Sequence, residues 1–151
     1  NTLAVLCDRI LAIAKRIPLL FPVHPRTRKN LLENGLWKRL AGAESLHLTE
    51  PLSYVRFMNL VFNCRFVLTD SGGVQEETTY LGIACLTLRP NTERPITVSD
   101  GTNRLCSVDG LLGDVDAILS GWNDPPPSIP LWDGKAAERV VSSIQAFFGT
   151  Q

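Results

Sequence analysis

Apolar residues at Leu3, Leu6, Ile10, Ile13, Ala14 and Ile17 recur at intervals of three and four, which predicts an amphipathic helix with Thr2 as its cap and Pro18 as its end. Leu19 to Val23 then forms a short unbroken apolar run, the pattern of a strand buried on both faces. The polar loop His24–Pro25–Arg26–Thr27 leads into a second helix that stops near Gly35. Ser45 to Leu48 is a weak strand candidate, and Ser53 caps a third helix carrying Val55, Phe57, Met58, Leu60, Val61 and Phe62. Arg65 to Thr69 is a strand that runs into Asp70–Ser71–Gly72–Gly73, and a helix from Val74 to Leu81 ends at Gly82. Ala84 to Leu88 is a further strand, Arg89 to Pro95 is irregular, and Ile96 to Ser99 is a helical turn. Leu105 to Val108 is the last strand, and Asp114 to Leu119 lies in another helix. The Pro-rich stretch from Asp124 cannot continue a helix and leads to a final helix from Lys135 to Phe148. The expected division is therefore a domain over 1–123, a linker over 124–134 and a C-terminal helix over 135–151.

Strands alternating with helices predict an α/β fold, a parallel sheet with helices on both faces. A doubly wound domain ordinarily opens on a strand near the middle of its sheet. This sequence opens on a helix.

Composition narrows the picture without deciding it. Of the 151 residues, 44% are apolar and 20% charged, the profile of a globular domain with a proper core. Fifteen basic residues balance fifteen acidic ones, so no net field favours nucleic acid or an anionic membrane. Any bound anion must be held by a local arrangement. Cys7, Cys64, Cys85 and Cys106 sit singly in apolar surroundings, as small buried hydrophobes rather than a disulfide framework or zinc site. No signal peptide and no bilayer-spanning run is legible, so a cytoplasmic protein without membrane partners is expected, and no cofactor or metal is expected.

Candidate chemistry gathers in the loops leaving the carboxyl ends of three strands, where open parallel sheets bind ligands. In Asp70–Ser71–Gly72–Gly73, two glycines let backbone approach a ligand closely, and the next helix offers free N–H groups and the positive end of its dipole. That suits a diphosphate; a tight turn with a capping serine explains the tetrapeptide equally well. Asp-Ser-Gly-Gly also surrounds the nucleophile of chymotrypsin-like proteases, but those are all-β and the strand–helix alternation excludes them. Of the adjacent Glu76 and Glu77 only one can face a ligand well. A glutamate one turn into the helix can accept hydrogen bonds from a ribose diol, the alternative being a pair of solvated charges, and Glu76 reads better as the latter. Arg94 could hold phosphate or pair with Glu93. His24 follows a buried strand, where a ligand-facing imidazole belongs, whereas His47 reads as structural.

Taken together, Phe21–Pro22–Val23–His24–Pro25–Arg26–Thr27, Thr69–Asp70–Ser71–Gly72–Gly73–Val74–Gln75–Glu76–Glu77 and Leu86–Thr87–Leu88–Arg89–Pro90–Asn91–Thr92–Glu93–Arg94–Pro95 resemble the C-terminal part of non-hydrolysing UDP-N-acetylglucosamine 2-epimerases. Gly101–Thr102–Asn103–Arg104–Leu105 and Trp132–Asp133–Gly134–Lys135–Ala136–Ala137 extend the match. The resemblance implies the C-terminal, Rossmann-like domain of a glycosyltransferase-B-like architecture, lacking its first strand. It implies interconversion of UDP-GlcNAc and UDP-ManNAc by elimination and re-addition of UDP, in polysaccharide biosynthesis.

Carried over by position, Ser71, Gly72 and Gly73 would hold the diphosphate and Glu77 the ribose. Phe57 would contact uracil, Arg94 the sugar or its phosphate, and His24 would assist departure of UDP as the catalytic residue. The family's acidic residues for proton transfer belong to an N-terminal Rossmann-like domain that the sequence does not contain. The chain is therefore expected to be a piece of a longer protein, inactive as an epimerase by itself. A sheet without a central strand exposes backbone edges, so marginal stability or self-association, a homodimer included, is also expected. The competing readings are an inactive UDP-sugar-binding module, and a hydrolysing epimerase or glycosyltransferase of the same architecture.

Overall fold

The computed structural model describes residues 2–121 and 129–149. In chain order it contains α1 (Thr2–Ala14), β1 (Leu19–Pro22), α2 (Pro25–Glu33), α3 (Trp37–Ala41), β2 (Leu46–Thr49), α4 (Tyr54–Asn63) and β3 (Phe66–Thr69). These are followed by α5 (Gly72–Leu81), β4 (Ala84–Thr87), α6 (Ile96–Ser99), β5 (Asn103–Leu105), α7 (Leu111–Leu119) and α8 (Ala136–Phe148). Residues 124–128 of the expected Pro-rich linker lie outside the described residues.

All pairings are parallel, as the alternation predicts, but the sheet comes in two pieces. β1 pairs with β2, with Leu19 opposite Leu46 and Pro22 opposite Thr49. The other piece has the order β3-β4-β5, with Phe66 opposite Ala84 and Cys85 opposite Asn103. Helix α1 joins the two. Its Cys7, Ile10 and Ala14 pack with Val23, Leu31, Leu40 and Leu46 around the first piece. Its Ile13 packs with Leu86, Cys106, Leu111, Val115 and Ile118 around the second. Leu6 and Leu19 touch both clusters, so the pieces are welded through apolar side chains rather than through main-chain hydrogen bonds.

β4 shows how both faces of the larger piece are covered. Successive strand residues point to opposite faces. Leu86 enters the α1/α7 cluster, while the fully buried Cys85 and Thr87 lie on the other side, where Thr78 of α5 approaches Cys85. Burying side chains of Leu size contributes about 1.5–3 kcal/mol each; such burial is shared between this cluster (Ile13, Leu86, Leu111) and the one around the first piece (Leu31, Leu40).

Several local expectations are corrected. Thr2 is the first helical residue of α1 rather than its cap, and the helix ends at Ala14 in a turn ahead of Pro18. β1 is not buried on both faces: Leu20 is exposed, as is its register partner His47, because neither joins a core cluster. Helix α2 begins at once at Pro25, whose fixed φ suits the first helical position, with His24 as the extended N-cap. The short α3 has no counterpart in the sequence reading. Ser53 precedes α4 without a capping side-chain bond. β5 lies at Asn103–Leu105, two residues ahead of the apolar run that suggested it, because its first side chain is a buried polar one. Asp114 to Leu119 does lie in a helix, α7, which begins at Leu111. Gly82 closes α5 in the left-handed conformation, φ 69°, where glycine carries no Cβ penalty.

The cysteines are free, with Cys7, Cys85 and Cys106 buried and Cys64 half-buried. Burial raises the pKa of every thiol, that of Cys106 to about 11 with Asp114 adding to the effect. Small hydrophobes describe them well. Among the described residues no helix is long and apolar enough to cross a membrane.

Candidate functional site

At the carboxyl end of β3 the chain turns through Asp70 and an extended Ser71, φ −84° and ψ 130°, into α5. The turn is held by the Ser71 N–H, which donates to Thr69 Oγ1 at 3.0 Å. Gly72 and Gly73 are not a loop between strand and helix, as the sequence suggested; they form the first turn of α5 itself. Ser71 stands at the N-cap, yet its side chain makes no capping bond. A Cβ placed on Gly72 or Gly73 would meet nothing within 4 Å, and neither has a positive φ. Neither packing nor backbone conformation therefore asks for glycine at these two positions. What they leave bare is the N-terminal turn of a helix whose first N–H groups have no intrahelical partners.

The loop after β4 folds back onto that helix. Leu88 N–H donates to Thr69 O at 2.8 Å, which brings the start of the loop beside the end of β3. Thr92 Oγ1 donates to Gln75 Oε1 at 2.6 Å, and Gln75 Nε2 donates to Ser71 O at 3.3 Å. Arg94 places Nε 3.3 Å from Glu76 Oε2, so its ion pair is with Glu76 and not with the adjacent Glu93. The Ser71 and Arg94 loops are thus parts of one assembly, and Glu76, read as a solvated charge, is a half-buried partner in it.

Glu77 lies on the α4 side of α5. The Tyr54 phenol at the start of α4 hydrogen-bonds to its carboxylate, which raises the Tyr54 pKa. Tyr54, Met58, Glu76, Glu77, Tyr80, Leu81 and Trp132 line an open depression of about 430 Å³ between the two helices. Phe57, on the same helix as Tyr54 and Met58, is half-buried. His24 is exposed at the end of β1, in the other piece of the sheet, and its Nδ1 accepts the Arg26 N–H at 3.2 Å. That bond orients the ring and directs Nε2 away from the backbone; no described bond ties His24 to Ser71 or Arg94.

The loops after β3 and β4, the first turn of α5 and Arg94 thus lie together at one edge of the larger sheet piece. The sequence profile of UDP-N-acetylglucosamine 2-epimerase matches residues 1–145. The chain belongs to that family. A curated UDP-N-acetylglucosamine 2-epimerase from Methanocaldococcus jannaschii is 40% identical over 128 residues, which cover 82% of this chain and 34% of that protein. The Bacillus subtilis enzyme of the same name is 33% identical over 150 residues, covering 93% of this chain and 38% of that one. In structure, the Methanocaldococcus jannaschii UDP-GlcNAc 2-epimerase superposes with a TM-score of 0.84 at 36% identity, over 96% of this chain and 41% of that one. The same enzyme in complex with UDP-GlcNAc and UDP gives a TM-score of 0.78 at 35% identity, over 95% of this chain and 40% of the other. The chain therefore corresponds to the C-terminal part of these epimerases and spans well under half of their length.

The residues that periodicity missed are Gln75, Thr87, Thr92, Thr97 and Asn103. All of them fall inside or beside the quoted motifs, but none has a charge or spacing that would single it out. Their signal is burial without apolarity, which appears only in three dimensions.

Proposed function

We propose that this chain is the uridine-diphosphate-holding part of an enzyme that interconverts UDP-GlcNAc and UDP-ManNAc. The observation that carries the reading is the first turn of α5. There Ser71, Gly72 and Gly73 offer backbone N–H groups and a hydroxyl, with the helix dipole behind them and the Arg94 loop clamped alongside. A diphosphate is the anion that spans both. Glu77 then accepts from the ribose diol once Tyr54 gives way, and Phe57 lies on the neighbouring helix for the uracil. The Methanocaldococcus jannaschii relative solved with UDP-GlcNAc and UDP supports this choice of ligand.

In the proposed reaction a base removes the proton at C2 while the C1–O bond breaks and UDP departs with the electron pair. Addition of UDP across the resulting double bond, with the proton returned to the opposite face of C2, gives the epimer. His24 acts on the departing phosphate, stabilising its charge or protonating it. The groups that move the C2 proton are supplied by the N-terminal domain that the family resemblance implies. Proton-transfer groups are worth roughly 10² to 10⁴ in rate, so the described chain supplies binding and leaving-group assistance rather than turnover by itself. We place the enzyme in the cytoplasm, on a route to surface polysaccharide.

Isothermal titration with UDP tests the reading. Saturable binding is expected, with Ser71→Ala weakening it by about tenfold, in line with loss of a hydrogen bond to a charged group. A flat titration at millimolar UDP overturns it.

A further inference from the structure

Behind the Arg94 loop lies a layer of polar side chains sealed from solvent. Gln75, Thr87 and Thr97 are 0% exposed and Asn103 is 2% exposed. Asn103 is the hub. Its Oδ1 accepts from Thr87 Oγ1 at 2.6 Å, and its Nδ2 donates to Gln75 Oε1 and to Thr97 Oγ1, each at 3.1 Å. Two branches leave this hub and end on the same residue. Along one, Thr92 Oγ1 donates to Gln75 at 2.6 Å and accepts the Arg94 N–H at 3.0 Å. Along the other, Thr97 Oγ1 donates to Arg94 O at 2.7 Å. Arg94 is exposed, yet its backbone is gripped at both N–H and C=O by hydroxyls anchored on one buried amide pair. The same Gln75 holds Ser71 O at 3.3 Å.

We propose that Thr92, set by the buried Gln75–Asn103 pair, is a positioning residue that fixes the backbone of Arg94 relative to the Ser71–Gly73 turn. An apolar layer would bury the same surface, but it would not fix direction. A polar layer whose members are mutually satisfied admits one arrangement, because any slip leaves buried groups without partners. The arrangement that it admits sets the spacing between the helix turn and the arginine, the two elements that hold opposite ends of the phosphate chain. The inference rests on the reading of this site as a UDP-sugar site.

The test is a double-mutant cycle read by titration with UDP-GlcNAc, with UDP in parallel. Thr92→Val removes the hydroxyl at nearly constant volume on a half-buried loop position and leaves the Gln75–Asn103 bond intact, so the fold survives; a thermal melt verifies it. T92V is expected to weaken binding about three- to tenfold, and T92S, which keeps the hydroxyl, to bind like the wild type. Arg94→Ala weakens binding on its own, and T92V in the R94A background costs nothing more, since Thr92 acts through Arg94. A merely structural threonine would instead give additive losses, and that result overturns the inference. So does a T92V protein that binds like the wild type, or an R94A protein that does so. A wild-type protein that takes up no UDP and no UDP-GlcNAc removes the proposed function and this inference with it.

Discussion

Arg94 reaches past its neighbour Glu93 to Glu76, one helical turn into α5, with Nε 3.3 Å from Oε2. Both side chains remain about two-fifths exposed, at 43% and 42%, so the pair is screened by solvent and holds weakly. Under the proposed function, a weak hold suits an arginine that exchanges a carboxylate for a phosphate. The pair keeps the guanidinium beside the helix N-terminus, and an arriving anion has little to displace.

Glu76→Gln is therefore expected to tighten UDP binding, by about two- to fivefold, because it removes a negative charge near the phosphate site and releases the guanidinium. The gain should shrink as salt is raised, since the repulsion it removes is screened. Titration at two ionic strengths measures both. A loss of affinity in E76Q would show that Glu76 serves to orient Arg94 rather than to compete for it.

At the entry to α8, Asp133 accepts from both terminal nitrogens of Arg139, at 2.8 and 2.5 Å, and from the Lys135 N–H at 3.1 Å. The hydrogen bonds from Arg139, then that from Lys135, lower the Asp133 pKa from 3.8 to about 2. A carboxylate with a depressed folded pKa contributes stability that is fully present above its unfolded value and disappears as pH falls through the folded one. The hold of Asp133 on the first turn of α8 is thus expected to weaken between about pH 4 and pH 2. A carboxyl NMR titration of Asp133 checks this, and Arg139→Gln should return its midpoint toward the ordinary value. A midpoint near 4 in the wild type would contradict the geometry.

Much of this fold was legible in the order of apolar runs and turn residues. Leu19–Val23, Arg65–Thr69 and Ala84–Leu88 all contain observed strands, and Gly82 ends α5 where it must, because a left-handed C-cap asks for a residue without Cβ. What failed did so for one physical reason. Periodicity registers apolar residues as buried, so it placed the last strand on Leu105–Val108 and passed over Asn103, whose burial depends on partners from β4, α5 and α6. Gln75 was invisible for the same reason. The sequence marked Ser71 and the glycines as a strand-to-helix turn, which the structure bears out at the start of α5, but Arg94's ion pair with Glu76 instead of Glu93 depends on how the loop folds back, and no local pattern records that. The division of the sheet into two pieces was not legible, because strand order and pairing depend on tertiary packing.

Gly101 tests the packing behind the site. A Cβ there would lie 2.4 Å from Thr97 O and 2.7 Å from both Thr79 Cγ2 and Thr79 Oγ1, and Thr97 holds Arg94. The clash is with backbone and with a fully buried threonine, so it cannot be relieved by swinging a flexible side chain. Gly101→Ala is expected to destabilise the protein by about 1–3 kcal/mol, the usual cost of overpacking. Urea denaturation measures it; a midpoint equal to that of the wild type would mean that this region is looser than its contacts indicate.

Gly73 separates folding from binding in one substitution. Its φ is not positive and an added Cβ would touch nothing in the chain, so alanine fits the folded backbone without strain. Alanine also has less conformational freedom to lose on folding and favours a helix, so Gly73→Ala should stabilise the protein, by up to about 1 kcal/mol. The methyl group would nevertheless project from the first turn of α5, beside the N–H groups that a diphosphate approaches. UDP affinity should fall by at least roughly tenfold, equivalent to about 1.4 kcal/mol. Stability and affinity then move in opposite directions, which no general loosening of the structure can imitate. If G73A were more stable and bound UDP as tightly as the wild type, the nucleotide would have to lie elsewhere on the molecule, and the glycines would be no more than a turn.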